Sequence, residues 1–301
     1  MNYSPIESKT ALNRVKRNMP YKWDLNIYRG CNNRCAYCYA LYSHKYLKSK
    51  DFYGDIYVKS NIVELLEKQM KKSSWMREVI AIGTVTDSYQ AIEKELKMMP
   101  EILKIFIKYK NPAIISTKSD LILRDIEYIK QLSEITYLNV ASSIISFDKD
   151  ISHILEPNAS YPQKRIEMLN KIKKETNASV GLHIMPIIPF ITDNYDDLNQ
   201  VFKNAKKFNV DYILPNILNL YGHTKVFFFK FLKNNFNDKY DEIKAIFNNS
   251  KLKKEYTQNI YKIIFDLSKK YEIDLSYKNI MDKKLKEFNL IDNYKQTTLF
   301  D

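Results

Sequence analysis

The chain has 301 residues, 45% of them hydrophobic, which is enough to bury the core of one large domain or of one domain with an appendage. No uncharged apolar run approaches the ~18 residues that a membrane span needs, and the N-terminus lacks the apolar stretch of a secretory signal. We therefore expect a cytoplasmic protein without a membrane segment. The formal net charge of +13 favours a polyanionic partner, although so much Lys, Asn, Ile and Tyr is also typical of an AT-rich genome.

Apolar, β-branched stretches alternate with helical periodicity along the first two thirds of the chain. Strands are predicted at 23–28, 79–85, 113–116, 137–145, 180–188 and 212–218, and helical spacing of apolar residues marks 62–70, 166–172 and 198–205. Six such alternations imply parallel strands with right-handed crossovers, and hence an α/β fold with a partial (β/α)6 barrel. Beyond about residue 222 the pattern becomes helical and lysine-rich. We therefore divide the chain into a barrel at 1–220 and a C-terminal helical extension at 221–301.

All three cysteines of the chain, Cys31, Cys35 and Cys38, lie directly after the first predicted strand. A C-x3-C-x2-C loop can place three thiolates on one face of a small metal cluster and leave one metal corner without a protein ligand. An open position of this kind is where a metal site performs chemistry. Two alternatives remain at this point: a Cys3His zinc knuckle that includes His44, and a disulfide, which the odd cysteine count disfavours.

The spacing, with the aromatic Tyr37 before the third cysteine, resembles that of radical S-adenosylmethionine (radical SAM) enzymes. The resemblance implies a [4Fe–4S] cluster on Cys31, Cys35 and Cys38, whose open iron chelates the amino and carboxylate groups of SAM. It implies reductive cleavage of SAM to a 5′-deoxyadenosyl radical, with Tyr37 near the adenine. It also implies an electron donor such as flavodoxin or ferredoxin.

Polar residues interrupt the apolar pattern where the later strands end. In order, they form the stretches Thr84-Val-Thr-Asp87 with a following Tyr-Gln, Thr-Lys118-Ser, Arg124-Asp125, Ser142-Ser143, Glu156-Pro and Pro-Ile-Ile-Pro. This series, from about residue 12 to about residue 232, resembles the spore photoproduct lyase-like branch of the radical SAM superfamily. The resemblance implies that Thr84, Asp87, Lys118, Ser142 and Ser143 contact SAM. Thr84 and Asp87 would otherwise cap a helix, and Arg124–Asp125 and Arg165–Glu156 are expected to be structural ion pairs.

The resemblance leaves the substrate open. The founding enzyme of this branch reverses a thymine dimer lesion and uses a cysteine outside the cluster as hydrogen donor, and no such cysteine exists here. Nucleic acid is our first expectation for the substrate, in repair or modification, and a peptide or protein is the second. A zinc-binding nucleic-acid module without enzymatic activity is the third. The Phe run at 227–229 favours core packing over a platform for nucleobases.

The last residues suggest a partner. Gln296, Leu299 and Phe300 resemble the short peptide that bacterial replication and repair proteins insert into their sliding clamp, although Thr297 departs from that pattern. Leu299 and Phe300 would fill an apolar pocket of the clamp while Gln296 hydrogen-bonds at its rim. The alternative is that the tail docks on the protein itself.

Overall fold

Strands and helices alternate over most of the chain. The structure, a computed structural model, describes residues 1–16, 19–47, 49 and 51–290. The strands are β1 (Asn2–Ile6), β2 (Leu12–Arg14), β3 (Trp23–Leu25), β4 (Tyr28–Arg29), β5 (Asp55–Lys59), β6 (Ile80–Ile82), β7 (Ala113–Ser116), β8 (Leu138–Ser143), β9 (Ser179–Ile187) and β10 (Tyr212–Ile217). The helices are α1 (Ile62–Met70), α2 (Glu93–Leu96), α3 (Met98–Tyr109), α4 (Ile126–Ile135), α5 (Lys149–Leu155), α6 (Pro162–Glu175), α7 (Tyr195–Lys207), α8 (Gly222–Asn235), α9 (Tyr240–Asn248), α10 (Ser250–Tyr271) and α11 (Lys278–Glu287). In the part of the chain described, no helix is both long and apolar enough to cross a bilayer.

A seven-stranded sheet in the order β10-β9-β8-β7-β6-β3-β2 forms the centre of the molecule. The six strands from β3 to β10 pair in parallel and in chain order, and β2 adds an antiparallel edge. Helices between successive parallel strands cover the sheet, which is the arrangement of an open barrel. The predicted α/β fold with a partial (β/α)6 barrel is confirmed.

The barrel strands are apolar because both of their faces are covered. Ile80, Ile115, Val140 and Val180 are completely buried. The outer helices begin as their sequences predict: α6 has Pro162 in its first turn, where the missing N–H is not needed. The strand ends are therefore held in a fixed register, and the loops that follow them meet at one end of the barrel.

The first predicted strand, 23–28, is two strands in different sheets. β3 belongs to the large sheet, whereas β4 pairs with β5 in a small sheet with β1. The chain leaves the large sheet at Asn26, whose side chain donates to Thr84 Oγ1 at 2.8 Å and accepts from Val85 N at 3.0 Å. The cysteine loop accordingly follows β4, one short strand later than predicted.

The helices after residue 221 cover three different parts of the barrel. Phe228 and Leu232 of α8 pack with residues that follow β8, β9 and β10, at the C-terminal end of the strands. Ile264 of α10 joins the main core, and Met281 of α11 packs with Tyr137 at the opposite end. The division of the chain at residue 220 stays a prediction.

Candidate active site

The cysteine loop begins at a position that only glycine tolerates. Gly30 has φ +86°, and a Cβ there would lie 2.9 Å from the carbonyl oxygens of Phe52 and Asp55. The Gly30 carbonyl accepts a hydrogen bond from Thr86 Oγ1 at 2.6 Å, and Cys31 N donates to Phe52 O at 3.2 Å. The loop is thereby fastened both to the small sheet and to the end of β6.

The three cysteines of this loop are free thiols. Cys35 is buried, and Cys31 and Cys38 are half-buried. Burial raises the pKa of all three thiols, that of Cys31 to about 12 with the nearby Asp87 carboxylate adding to the effect. A soft donor set of three thiolates, with no fourth ligand among the residues that the structure describes, suits an iron–sulfur cluster.

The other metal hypothesis finds no support in the geometry. Among the described residues, no three His, Cys, Asp or Glu side chains converge on a point where one ion could bind. His44, the fourth ligand of the zinc alternative, is buried in contact with Phe52 and Tyr57, and its Nε2 lies 3.0 Å from Asp55 O. The three free thiols also exclude the disulfide in this structure. The residues present therefore fit a cluster with separate corners better than a single ion.

Asp87 joins the cysteine loop to the neighbouring strand ends. Its Oδ1 accepts from Thr117 Oγ1 at 2.7 Å and Tyr89 N at 2.9 Å, and its Oδ2 accepts from Asn33 Nδ2 at 2.9 Å and Lys118 N at 2.8 Å. These four bonds use the acceptor capacity of a carboxylate. Asp87 thus fixes the distance between the loop and the end of β7, and its carboxylate has little capacity left for a ligand.

Tyr37, the residue before the third cysteine, is bonded to a buried network of charged side chains. The Glu156 carboxylate accepts from Tyr37 Oη, forms an ion pair with Arg165, and lies 3.9 Å from Lys118 Nζ. The side chains of Glu156 and Arg165 are completely buried. Burial alone would lower the pKa of Lys118, but Cys35 and Glu156 outweigh it and raise the pKa. Of the two cations, Arg165 is completely buried against Glu156, whereas Lys118 is partly exposed and is the one that an anionic group of a ligand can reach.

The expected ion pair between Arg165 and Glu156 is confirmed, as is the one between Arg124 and Asp125 at 2.8 Å. Arg124 also pairs with the buried Glu93 at 2.9 Å, which has no signal in the sequence. The sequence gives no sign that Glu156 joins Arg165 to Tyr37. Their separation along the chain gives sequence patterns no means of revealing that link.

The remaining predicted cofactor residues differ in whether their hydroxyl groups are already hydrogen-bonded within the protein. Thr84 Oγ1 accepts from Asn26, and the Thr84 carbonyl accepts from Tyr39 Oη. Ser142 Oγ is buried and donates to Thr117 O at 2.6 Å. By contrast, the hydroxyl of Ser143 makes no hydrogen bond to any described residue and is partly exposed. Lys118 and Ser143 are therefore the two side chains of the predicted set with polar groups available to a ligand.

His183 lies on β9. Its Nε2 is 3.3 Å from Tyr212 Oη, and Tyr212 accepts from Asn139 Nδ2 at 2.9 Å. Burial lowers the pKa of His183 to about 4, and the charge of Lys118 adds to this. The imidazole is therefore neutral near pH 7, in keeping with a role in packing.

One predicted contact cannot be placed. Gln296, Leu299 and Phe300, the residues of the expected sliding-clamp peptide, lie outside the described residues. Their interaction stays a prediction.

Comparisons with known proteins agree with this geometry. A model of the radical SAM superfamily matches residues 25–224. An uncharacterized protein of Mycobacterium tuberculosis is 30% identical over 235 residues, covering 76% of this chain and 68% of that protein. An uncharacterized protein of Acidianus two-tailed virus is 24% identical over 263 residues, covering 83% of this chain and 80% of that protein.

Solved structures of spore photoproduct lyase share the fold. One variant superposes with a TM-score of 0.59 at 14% identity, over 75% of this chain and 65% of that one. A second, with bound AdoMet and dinucleoside spore photoproduct, gives a TM-score of 0.58 at 13% identity, over 76% and 65% of the two chains. This chain therefore matches just under two thirds of the lyase's length. Because the family match spans more than half of the residues and contains all three cysteines, the chain belongs to the radical SAM superfamily, whose enzymes use a [4Fe–4S] cluster and SAM.

Proposed function

We propose that this enzyme acts on nucleic acid, in repair or modification. At this site a reduced [4Fe–4S] cluster would supply the electron that cleaves SAM to methionine and a 5′-deoxyadenosyl radical. The chain's own residues then have three tasks: Cys31, Cys35 and Cys38 hold the cluster, Lys118 and Ser143 hold SAM, and the surrounding surface presents the substrate. Only the last task distinguishes a nucleic-acid enzyme from one that modifies peptides.

The observation that carries the proposal is an exposed aromatic ring beside the cysteine loop. Phe227 is 40% exposed, and its ring centroid lies 5.9 Å from that of Tyr53. Tyr53 in turn donates from its hydroxyl to Cys35 O at 2.6 Å. The next residue, Phe228, is completely buried, so the core role expected for this Phe run holds for Phe228 but not for Phe227. An exposed ring two contacts from a cluster cysteine is placed to stack on a nucleobase.

Two further observations support nucleic acid. The solved structures with the same fold include one that holds a dinucleoside photoproduct, although likeness of fold is an analogy and not evidence of the same substrate. The formal charge of +13 also favours a polyanion. Because Cys31, Cys35 and Cys38 are all assigned to the cluster, we expect any return of hydrogen to use a donor other than a cysteine of this sequence.

The proposal predicts that nucleic acid stimulates SAM cleavage and that Phe227→Ala reduces the stimulation. Loss of base stacking is worth about 1–3 kcal/mol, so the concentration of single-stranded DNA for half-maximal stimulation should rise about five- to 150-fold. The measurement is 5′-deoxyadenosine formation by the anaerobically reconstituted, reduced protein with and without oligonucleotide. Phe265→Ala is the matched control. It also removes an exposed ring, 53% of which is in solvent, but from α10 and not from α8, which carries Phe227.

Two results would count against nucleic acid. Stimulation by peptides and not by DNA or RNA would assign the enzyme to the peptide-modifying class. Equal stimulation of the parent and Phe227→Ala would remove the observation on which the proposal rests. In either case Phe265→Ala must be stimulated by oligonucleotide as the parent is, since this shows that the loss of an exposed ring does not by itself reduce stimulation.

A second prediction concerns the SAM contacts. Lys118→Ala and Ser143→Ala should each weaken SAM binding while the iron content stays at the parental value, because both side chains act on the ligand and not on the metal. Removing one charge-assisted hydrogen bond costs about 1.5–3 kcal/mol, or about ten- to a hundredfold in affinity. Equilibrium binding of SAM to the reconstituted protein, with iron quantified in the same sample, measures both quantities.

The neighbouring serine provides the control. Ser142→Ala removes a hydroxyl of the same size whose hydrogen bond goes to Thr117 O within the protein. It should lower stability by about 1 kcal/mol and leave SAM affinity close to parental. If Ser142→Ala weakens SAM binding and Ser143→Ala does not, the assignment of the two serines is reversed.

Enzymes of this superfamily need a reductant, and we propose flavodoxin or ferredoxin for this role. The thiol-only metal site also fits a reducing compartment, in line with the expected cytoplasmic location. Reduction of the cluster by either protein, followed by 5′-deoxyadenosine formation, identifies the donor.

A further inference from the structure

We propose that a groove between α8 and α9 binds the sugar-phosphate backbone of single-stranded nucleic acid next to the reacting nucleotide. The inference rests on the proposed function, and names the surface that would hold the substrate. We call this surface the lysine groove. It is a cavity of about 490 Å³ lined chiefly by Lys225, Lys230, Lys233, Lys244, Phe229 and Tyr240.

The charge of the lysine groove is uncompensated. No acidic side chain is among the described residues that line it, and none of its four lysines forms an ion pair with a described residue. Across the whole chain, 48 basic residues stand against 35 acidic ones. In the lysine groove, by contrast, all four charged residues are basic. The groove attracts an anion with several charges.

Aromatic rings lie among these charges. Lys225 Nζ is 5.9 Å from the ring centroid of Phe229, and Lys244 Nζ is 5.4 Å from that of Tyr240. The two rings contact each other edge to face, with centroids 5.8 Å apart. A positive groove with aromatic walls is the arrangement that holds single-stranded nucleic acid, because phosphates meet the lysines while bases find flat apolar faces.

The position of α8 connects the lysine groove with the active site. On one side α8 packs Phe228 and Leu232 against the loop that carries Cys35, and on another it presents Lys230 and Lys233 to solvent. An α-helix is about 10 Å thick, a distance that roughly three nucleotides span at 3.4 Å each. A strand whose base stacks on Phe227 therefore reaches the groove within a few nucleotides. This continuity favours nucleic acid over an acidic peptide or an anionic membrane.

The test is a charge reversal within the groove. Lys230→Glu/Lys233→Glu removes two phosphate contacts, and the control Lys203→Glu/Lys207→Glu makes the same change of net charge on exposed positions of α7. The probe is a labelled single-stranded DNA of about 20 nucleotides, and its affinity for the full, anaerobically reconstituted chain is measured from 50 mM to 1 M salt. A melting curve for each variant verifies the fold.

The groove variant should lower the slope of log affinity against log salt by about 1.4, because each phosphate contact contributes about 0.7 for a single strand. If binding converges at 1 M salt, that slope amounts to a roughly 25-fold weaker affinity at 0.1 M salt. The control should change the slope by much less. Equal slopes for the two variants, or no binding of DNA by the parent chain, would overturn the proposal.

Parallel measurements separate the other possibilities. If polyglutamate or vesicles with anionic lipid bind through Lys230 and Lys233 and DNA does not, the groove belongs to that other partner and the inference is wrong. If DNA binds through the groove but does not stimulate 5′-deoxyadenosine formation, the groove is supported while the proposed function fails. The two failures are therefore distinguishable.

Discussion

Replacement of any one of Cys31, Cys35 and Cys38 by Ala should abolish SAM cleavage. These are the only cysteines of the chain, so no other thiol can substitute for the missing ligand. Each variant leaves only two thiolates on the loop, which cannot keep a cluster in place. We expect about four irons per parent chain after anaerobic reconstitution and much less in each variant. Iron content and 5′-deoxyadenosine formation measure the two effects.

A buried hydroxyl in the adjoining 3₁₀ helix (Tyr39–Tyr46) provides the control. Ser43 Oγ is buried and has no hydrogen-bond partner in the described part of the chain. Ser43→Ala should therefore be neutral or slightly stabilising and keep parental iron. Purified parent with stoichiometric zinc and no reconstitutable iron would contradict the assignment of the cluster, as would a Cys variant that forms 5′-deoxyadenosine at the parental rate.

Much of the barrel could be predicted from the sequence because its strands are buried on both faces and appear as short apolar runs. The strand predicted at 113–116 coincides with β7, and that at 212–218 differs from β10 by one residue. The break at Asn26 could not be predicted, because the run from Trp23 to Tyr28 continues in the strand pattern across it. The reason for the break is a pair of hydrogen bonds to Thr84 and Val85, which are more than fifty residues away.

The cysteine loop could be recognised for a different reason: cluster binding requires a local spacing of cysteines, which a sequence displays directly. The role of each cysteine as a ligand stays a prediction. The polar strand ends were also visible, but their partners were not. Asp87 bonds to Asn33, 54 positions away, and to Thr117, 30 positions away. Whether such a side chain faces a ligand or its own protein depends on these long-range contacts. Ser142 and Ser143 are adjacent in sequence, yet among the described residues a hydrogen-bond partner exists only for the hydroxyl of Ser142.

The largest predicted loss of stability follows from Arg165→Met. The ion pair of Arg165 with Glu156 has both side chains completely buried, and Arg165 also donates to the carbonyls of Ser143 and Ser160. Removing the guanidinium leaves a buried carboxylate with Tyr37 and the more distant Lys118. Breaking one partner out of a buried pair costs about 3–5 kcal/mol. The free energy of unfolding should therefore fall by about that amount in urea titrations of the cluster-free protein.

A double-mutant cycle separates the ion pair from other effects of the substitution. Glu156→Leu should destabilise the parent strongly, because it leaves the completely buried Arg165 and the partly buried Lys118 without their carboxylate. In the Arg165→Met background, Glu156→Leu should lower the free energy of unfolding by at least about 2 kcal/mol less than it does in the parent. There the Glu156 carboxylate has already lost its ion pair with Arg165. Lys171→Met on the same helix breaks an exposed pair with Glu175, half of each side chain being in solvent, and should cost at most about 0.5 kcal/mol. Additive effects of the Glu156 and Arg165 changes would show that the pair does not act as a unit.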